Sequence, residues 1–170
     1  MKRVLALLAL AFVLVEWAPL AALADSPDAS FYKHAAQGGI AEVEAGNLAQ
    51  QKSSNQKVKD FGAMMVKDHT AANDKLKALA DSKSVSLPST SSVRQTAAKA
   101  KLEVLSGETF DKSYIKGQVK AHQNTIALFR KEIASGQDPD AKAFAKETLP
   151  TVRSHLKAIN AIASSAGVSK

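Results

Sequence analysis

Val58, Phe61, Met65, His69, Ala72, Leu76 and Leu79 recur at steps of three and four residues, the period at which side chains line one face of an α-helix. The same spacing recurs in three further segments. Phe31, Ala35, Gly38, Glu42, Ala45 and Ala49 precede it; Ile115, Val119, His122, Ile126, Phe129 and Ile133 follow, and then Phe144, Thr148, Val152, His155, Ile159 and Ile162. Between these positions the chain is rich in Ala, Lys, Leu, Glu and Gln, which favour helix, and poor in β-branched runs. Four helices with one apolar face each must bury those faces against one another, so the pattern predicts an all-α bundle.

Gly, Pro and Ser-rich breaks set the expected boundaries. A first helix runs from about Asp28 to Lys52 behind Pro27, and the polar break at 53–55 leads to a second that reaches about Asp81. The stretch SVSLPSTSS, containing Pro88, reads as a loop, and a short helix from about Ser92 to Leu105 carries Val93, Ala97, Ala100 and Val104 on one side. Ser106-Gly107 closes it. Glu108 and Asp111 suit the first turns of the next helix, where the dipole favours negative charge. After Ser135-Gly136, Asp138 is placed to cap a last helix with Pro139 in its first position. Pro150 lies inside that helix and is expected to bend or divide it, because it lacks a donor and crowds the preceding turn. The tail SSAGVSK is expected to fray. At 1.5 Å per residue the short helix spans about 20 Å, enough to carry the chain along the bundle. That connection between the second and third long helices is the ferritin-like one.

The N-terminus has the form of a secretory signal. Lys2 and Arg3 precede an apolar run from Val4 to Val15, and Ala22-Leu23-Ala24 is a small-x-small cleavage site. Glu16, Trp17 and Pro19 interrupt the run far short of the about 20 residues a membrane span needs. The expected product is therefore a single helical domain, 25–170, without a transmembrane segment, in the periplasm or secreted. Losing two basic residues and one acid with the signal lowers the formal charge from +7 to +6. Lysines are scattered among acids along the helices, and export makes nucleic acid an unexpected partner. An envelope protein, an anionic surface or a second copy of the chain are the candidate partners. There is no Cys, hence no thiolate ligand and no disulfide.

Chemistry concentrates in the histidines. Of His34, His69, His122 and His155, the last three fall on the apolar stripes of three different long helices, and Glu42 falls on that of the fourth. Each of these four lies roughly 14 to 17 residues into its helix, or about 20 to 26 Å along at 1.5 Å per residue. Side chains at one level on facing helices can converge on a metal ion, and imidazole with carboxylate suits zinc, iron, copper or manganese. Alternatively, each histidine is a core residue satisfied by a hydrogen bond; Glu44 and Asp68 are near in sequence and can serve as partners. Val66, Val119 and Val152 stand three residues before the histidines, so the Glu-x-x-His pairs of carboxylate-bridged di-iron bundles are absent. A single ion on three His and Glu42 is the metal reading that remains. Tyr114 can donate near the bundle end, though a packed ring with a wet hydroxyl is the blander expectation; Asp111 can cap or pair with Lys, and Met65 reads as core packing. No Gly-rich phosphate loop, nucleophile elbow, HExxH pair or EF-hand loop occurs, so binding is expected before catalysis.

Several phrases resemble the DUF4142 family of exported, ferritin-like bacterial proteins. They are FYKHAAQGGIAEVEAGNLA at 31–49, VKDFGAMMVKDHTAANDKLKALA at 58–80, LP at 87–88, LSGETFDKSYIKGQVKAH at 105–122 and LPTVRSHL at 149–156. The resemblance implies a helical bundle with a crossover and draws attention to Glu42, Glu44, Asp68, His69, Asp111, Tyr114, His122 and His155. It implies no reaction, since the full ferritin-like ligand pattern is missing. Two functions follow as expectations: metal handling or envelope stress protection by a metal-binding bundle, or a non-catalytic envelope protein that binds a partner without metal.

Overall fold

The computed structural model describes residues 27–168; the expected export signal, 1–24, lies outside them. Five helices follow in order: α1 Pro27–Lys52, α2 Gln56–Ser82, α3 Val93–Glu103, α4 Gly107–Ser135 and α5 Pro139–Ser165. Local chemistry sets the starts. Asn55 accepts from the Lys57 amide at 3.0 Å. Ser92 and Gln95 form a reciprocal capping box. Asp138 accepts from the Asp140 amide at 2.9 Å with Pro139 just inside the helix.

α1 packs against α2 and α4, and α5 against α4 and α2, giving a four-cornered bundle. The α1–α2 and α4–α5 pairs are antiparallel hairpins. Phe31, early in α1, meets Phe129, late in α4, and Leu76, late in α2, shares a core with Phe144, early in α5. α2 and α4 therefore run parallel at opposite corners, and residues 83–106 must travel the length of the bundle. They do so across α1. Val85 and Leu87 pack at the end where α1 begins, Ser91 donates to Glu44 at 3.1 Å half way, and Leu102 and Leu105 pack at the other end. This is the ferritin-like crossover, and Glu44 holds it to α1.

α3 departs from expectation. No residue of α3 is buried, and Val93 and Val104 are 89% and 82% exposed. Its attachment is polar: Lys52 Nζ donates to the Glu103 carbonyl at 2.5 Å, and the half-buried side is Gln95, Lys99 and Leu102. The Val93, Ala97, Ala100 and Val104 side faces solvent.

α5 is continuous through Pro150. Pro150 and Lys146, whose carbonyl loses its donor, are both exposed, so water can replace the missing bond and the helix is not divided. Over its described residues, 164–168, the tail does not fray. Gly167 has φ +62, the Val168 amide donates back to Ala163 at 2.9 Å, and Val168 is buried beside Ala163, which is a Schellman closure with its apolar contact. α1 runs unbroken through Gly38 and Gly39. α1 and α2 approach closely at Gly46 and Gly62, where a Cβ on Gly62 would lie 2.7 Å from the Gly46 carbonyl oxygen.

Two apolar cores result. One, around Phe31, Tyr32, Phe129 and Phe144, fills the Asp28 end; the other, around Phe61, Met65, Phe110 and Ile159, fills the Ser53 end. Between them lies a polar belt of Glu42, His69, Gln118, His122 and His155, all buried.

The Asp28 end carries acids that the apolar periodicity does not reveal. Asp28 accepts from the Gln137 and Asp138 amides at 2.8 and 3.1 Å, Tyr32 donates to Asp138 at 2.8 Å, and Lys83 bridges Asp138 and Asp140 at 3.0 and 2.9 Å. Glu132 is buried against Asp28, and burial together with the hydrogen bond and charge of Asp28 pushes its carboxyl up to about 7.

Candidate metal centre

His69, His122 and His155 come from α2, α4 and α5, and their rings face one another, with centroids 6.0 Å (69–122), 5.5 Å (69–155) and 5.5 Å (122–155) apart. Each offers one nitrogen to the group, and the three lie within 4.8 Å of one another. Four nitrogens about 2.05 Å from a tetrahedral zinc ion are about 3.3 Å apart, so a small inward turn of the rings closes the set on an ion.

Second partners fix the tautomers of two rings. The Gln118 carbonyl can only accept, so His122 Nδ1 donates to it at 2.9 Å, which leaves the lone pair on Nε2. His155 Nε2 lies 2.9 Å from Asp68 Oδ2; donation to that carboxylate leaves the lone pair on Nδ1. His122 Nε2, His155 Nδ1 and His69 Nε2 are buried without any hydrogen-bond partner. The buried acceptors of His122 and His155 are costly unless something electropositive joins them, and a histidine ligand usually shows this outer hydrogen bond to a carbonyl or carboxylate. Burial, reinforced by the His122 and His155 neighbours, pushes His69 down to about 3 despite the Asp68 charge. Burial also lowers His155, opposed by its bond to Asp68. Both rings are therefore neutral near pH 7 with lone pairs available.

The other sequence candidates are placed differently. Glu42 lies behind His122: Oε1 is 3.9 Å from His122 Nδ1, the nitrogen turned away from the triangle. Burial raises its carboxyl, against the lowering effect of His122 and of a hydrogen bond from Gln118. Asp68 supports His155. Glu44 anchors the crossover, and Asp111 is remote, accepting from Ser53 and Ser54 at the α1–α2 turn. Tyr114 is fully buried with an unpartnered hydroxyl, not wet at the bundle end; burial and the nearby Glu42 raise its pKa well above the ordinary value. Gln118 was not a sequence candidate, although it stands four residues before His122 on the same face.

A model of the family described as a domain of unknown function, DUF4142, matches residues 17–162. The chain belongs to the DUF4142 family. Two solved structures share the fold of this DUF4142 chain. A DUF305 protein from Streptomyces coelicolor, inferred to be secreted, aligns with a TM-score of 0.72 at 16% identity over 86% of this chain and 98% of that one. A DUF305 fragment from Deinococcus radiodurans gives 0.71 at 13% identity over 80% and 94%. Curated proteins give no match. Among the described residues of the DUF4142 chain, no helix is long and apolar enough to cross a membrane.

Proposed function

We propose that this DUF4142 chain is an exported bundle protein that binds one transition-metal ion through His69 Nε2, His122 Nε2 and His155 Nδ1, serving metal handling or protection of the cell envelope. The observation that carries this reading is the convergence of three buried, partnerless imidazole nitrogens from three helices. Glu42 and Asp68 act in it as supports, Glu42 behind His122 and Asp68 behind His155. Three imidazole ligands without thiolate favour zinc, copper or iron over the harder manganese. Three protein ligands leave a coordination position open, as in catalytic zinc sites, but the neighbouring carboxylates, Glu42 and Asp68, stand behind His122 and His155, so binding is preferred to turnover. The signal-like N-terminus supports export.

A second reading, a structural histidine layer in a partner-binding bundle, has one observation behind it: two rings are already held by Gln118 and Asp68. Elemental analysis of mature protein purified without chelator or affinity tag separates the two. Near-stoichiometric metal, lost in folded His69→Ala, His122→Ala and His155→Ala variants, supports the centre. Folded wild type that carries no metal and takes none up overturns it.

A further inference from the structure

The two sides of the histidine triangle differ. Toward the Ser53 end the ring of Phe61 closes it, with centroid distances of 6.1 Å to His122 and 6.5 Å to His155. Toward the Asp28 end lies a cavity of about 30 Å³ that has His69 in its wall, room for about one water. Its polar lining is Asn73, Thr125 and Thr148. The Thr125 hydroxyl hydrogen goes to the Ala121 carbonyl at 3.0 Å, which leaves its lone pairs free to accept from a small occupant.

The cavity reaches α1 at Gly38, Gly39 and His34. Apart from His34, α1 presents only Ala35 and the two glycines to it. A Cβ on Gly38 would meet nothing within 4 Å, whereas the space beside Gly39 is taken by the Asn73 amide, whose oxygen lies 1.8 Å from where a Cβ would stand. Adjacent glycines weaken a helix interior, and here they coincide with the stretch that borders the cavity. His34 is exposed at the mouth, and its Nδ1 lies 3.2 Å from Ser30 Oγ, which leaves Nε2 for an outside ligand.

We propose that the seam between α1 and α4 at Gly38 is the port of the metal centre. The fourth coordination position opens on the cavity and takes a small exchangeable ligand, water or an anion of azide size, and His34 is the surface ligand through which an incoming ion first engages. This rests on the metal reading above. It gives the fourth histidine a role and makes the centre open to small molecules while closed to bulky chelators.

Cobalt(II) and azide test it, with wild type, Gly38→Leu and His34→Ala. Gly38→Leu has free space at its Cβ, so the bundle keeps its packing while the side chain obstructs the seam. Wild type loads one cobalt, and its visible bands change saturably with azide. Gly38→Leu loads the same final amount but takes up cobalt and responds to azide slower by about tenfold or more. His34→Ala slows cobalt uptake alone. A loaded wild type whose bands ignore azide, or a Gly38→Leu variant that responds at the wild-type rate, overturns the port and leaves the centre standing. Folded wild type that takes up no cobalt overturns both.

Discussion

Replacing Glu132 by Gln isolates a proton held at the Asp28 end of the bundle. Glu132 is only 3% exposed, and it faces Asp28 from α1, Asp138 from the start of α5 and, more weakly, the attractive Lys142; Lys83 pairs with Asp138 and Tyr32 donates to it. Burial and the Asp28 interaction move its carboxyl from an ordinary 4.5 to about 7. A carboxyl raised on folding keeps its proton in the native state, so its contribution is complete below about pH 4.5 and is lost as pH rises through about 7. At about 1.4 kcal/mol per unit the ceiling is about 3.5 kcal/mol, and screening by solvent at the bundle end reduces this to about 1–2 kcal/mol. For a domain of this size that is a shift of about 3–6 °C in melting temperature. Gln can still donate to Asp28 but cannot ionise. The assay is thermal or urea unfolding of wild type and Glu132→Gln from pH 4.5 to 8.5. The wild type should lose stability relative to the variant as pH rises, then level off. His69 and His155, lowered on folding, give a slope of the opposite sign, with stability lost as pH falls below their ordinary 6.5; both proteins share it, so it cancels in the difference. A difference that stays flat across the range refutes the shared proton.

Gly62→Ala puts a methyl 2.7 Å from the Gly46 carbonyl oxygen and 2.8 Å from Ala49 Cβ. Forcing α1 from α2 should cost about 1–3 kcal/mol in urea unfolding, and an unchanged midpoint would mean the approach is looser than described. Asp68→Asn keeps a side chain of the same size beside His155 but removes its charge. Metal affinity by competition titration should fall about 10- to 100-fold with the helical circular dichroism signal intact. Val93→Ser and Val104→Ser remove the apolar tips from the exposed side of α3 and should change stability by less than about 0.5 kcal/mol; a larger loss in either would show that this side is covered in solution.

The long helices were legible because burial follows period. Val58, Phe61, Met65 and His69 are buried as their spacing requires, and the alignment of three histidines at one height carried through to a triangle of rings. Period says which residues share a face, but not what that face meets. In α3 the apolar side is short and half alanine, so it offers little area to bury, and the polar ties of Lys52 and the Ser92–Gln95 box orient the helix instead. Glu42 has the right height but stands behind His122, because the Gln118 carbonyl holds Nδ1 toward the α4 backbone and away from the triangle, on the side where Glu42 lies. Glu132 stands three residues after Phe129 and Ile133 four. Both spacings fit a buried stripe, and only the Asp28 carboxylate on another helix decides in favour of the acid.

The crossover divides the ligands unequally: α1 and α2 form one hairpin and contribute His69, while α4 and α5 form the other and contribute His122 and His155. Neither half holds a complete set. An ion gripped by all three histidines would act as a rivet through two leaves whose covalent link is the strap of residues 83–106, and loading would report that the leaves had closed. Apoprotein would then open most readily along the α1–α4 and α2–α5 seams, with each hairpin intact, and metal would slow that parting without stiffening either leaf.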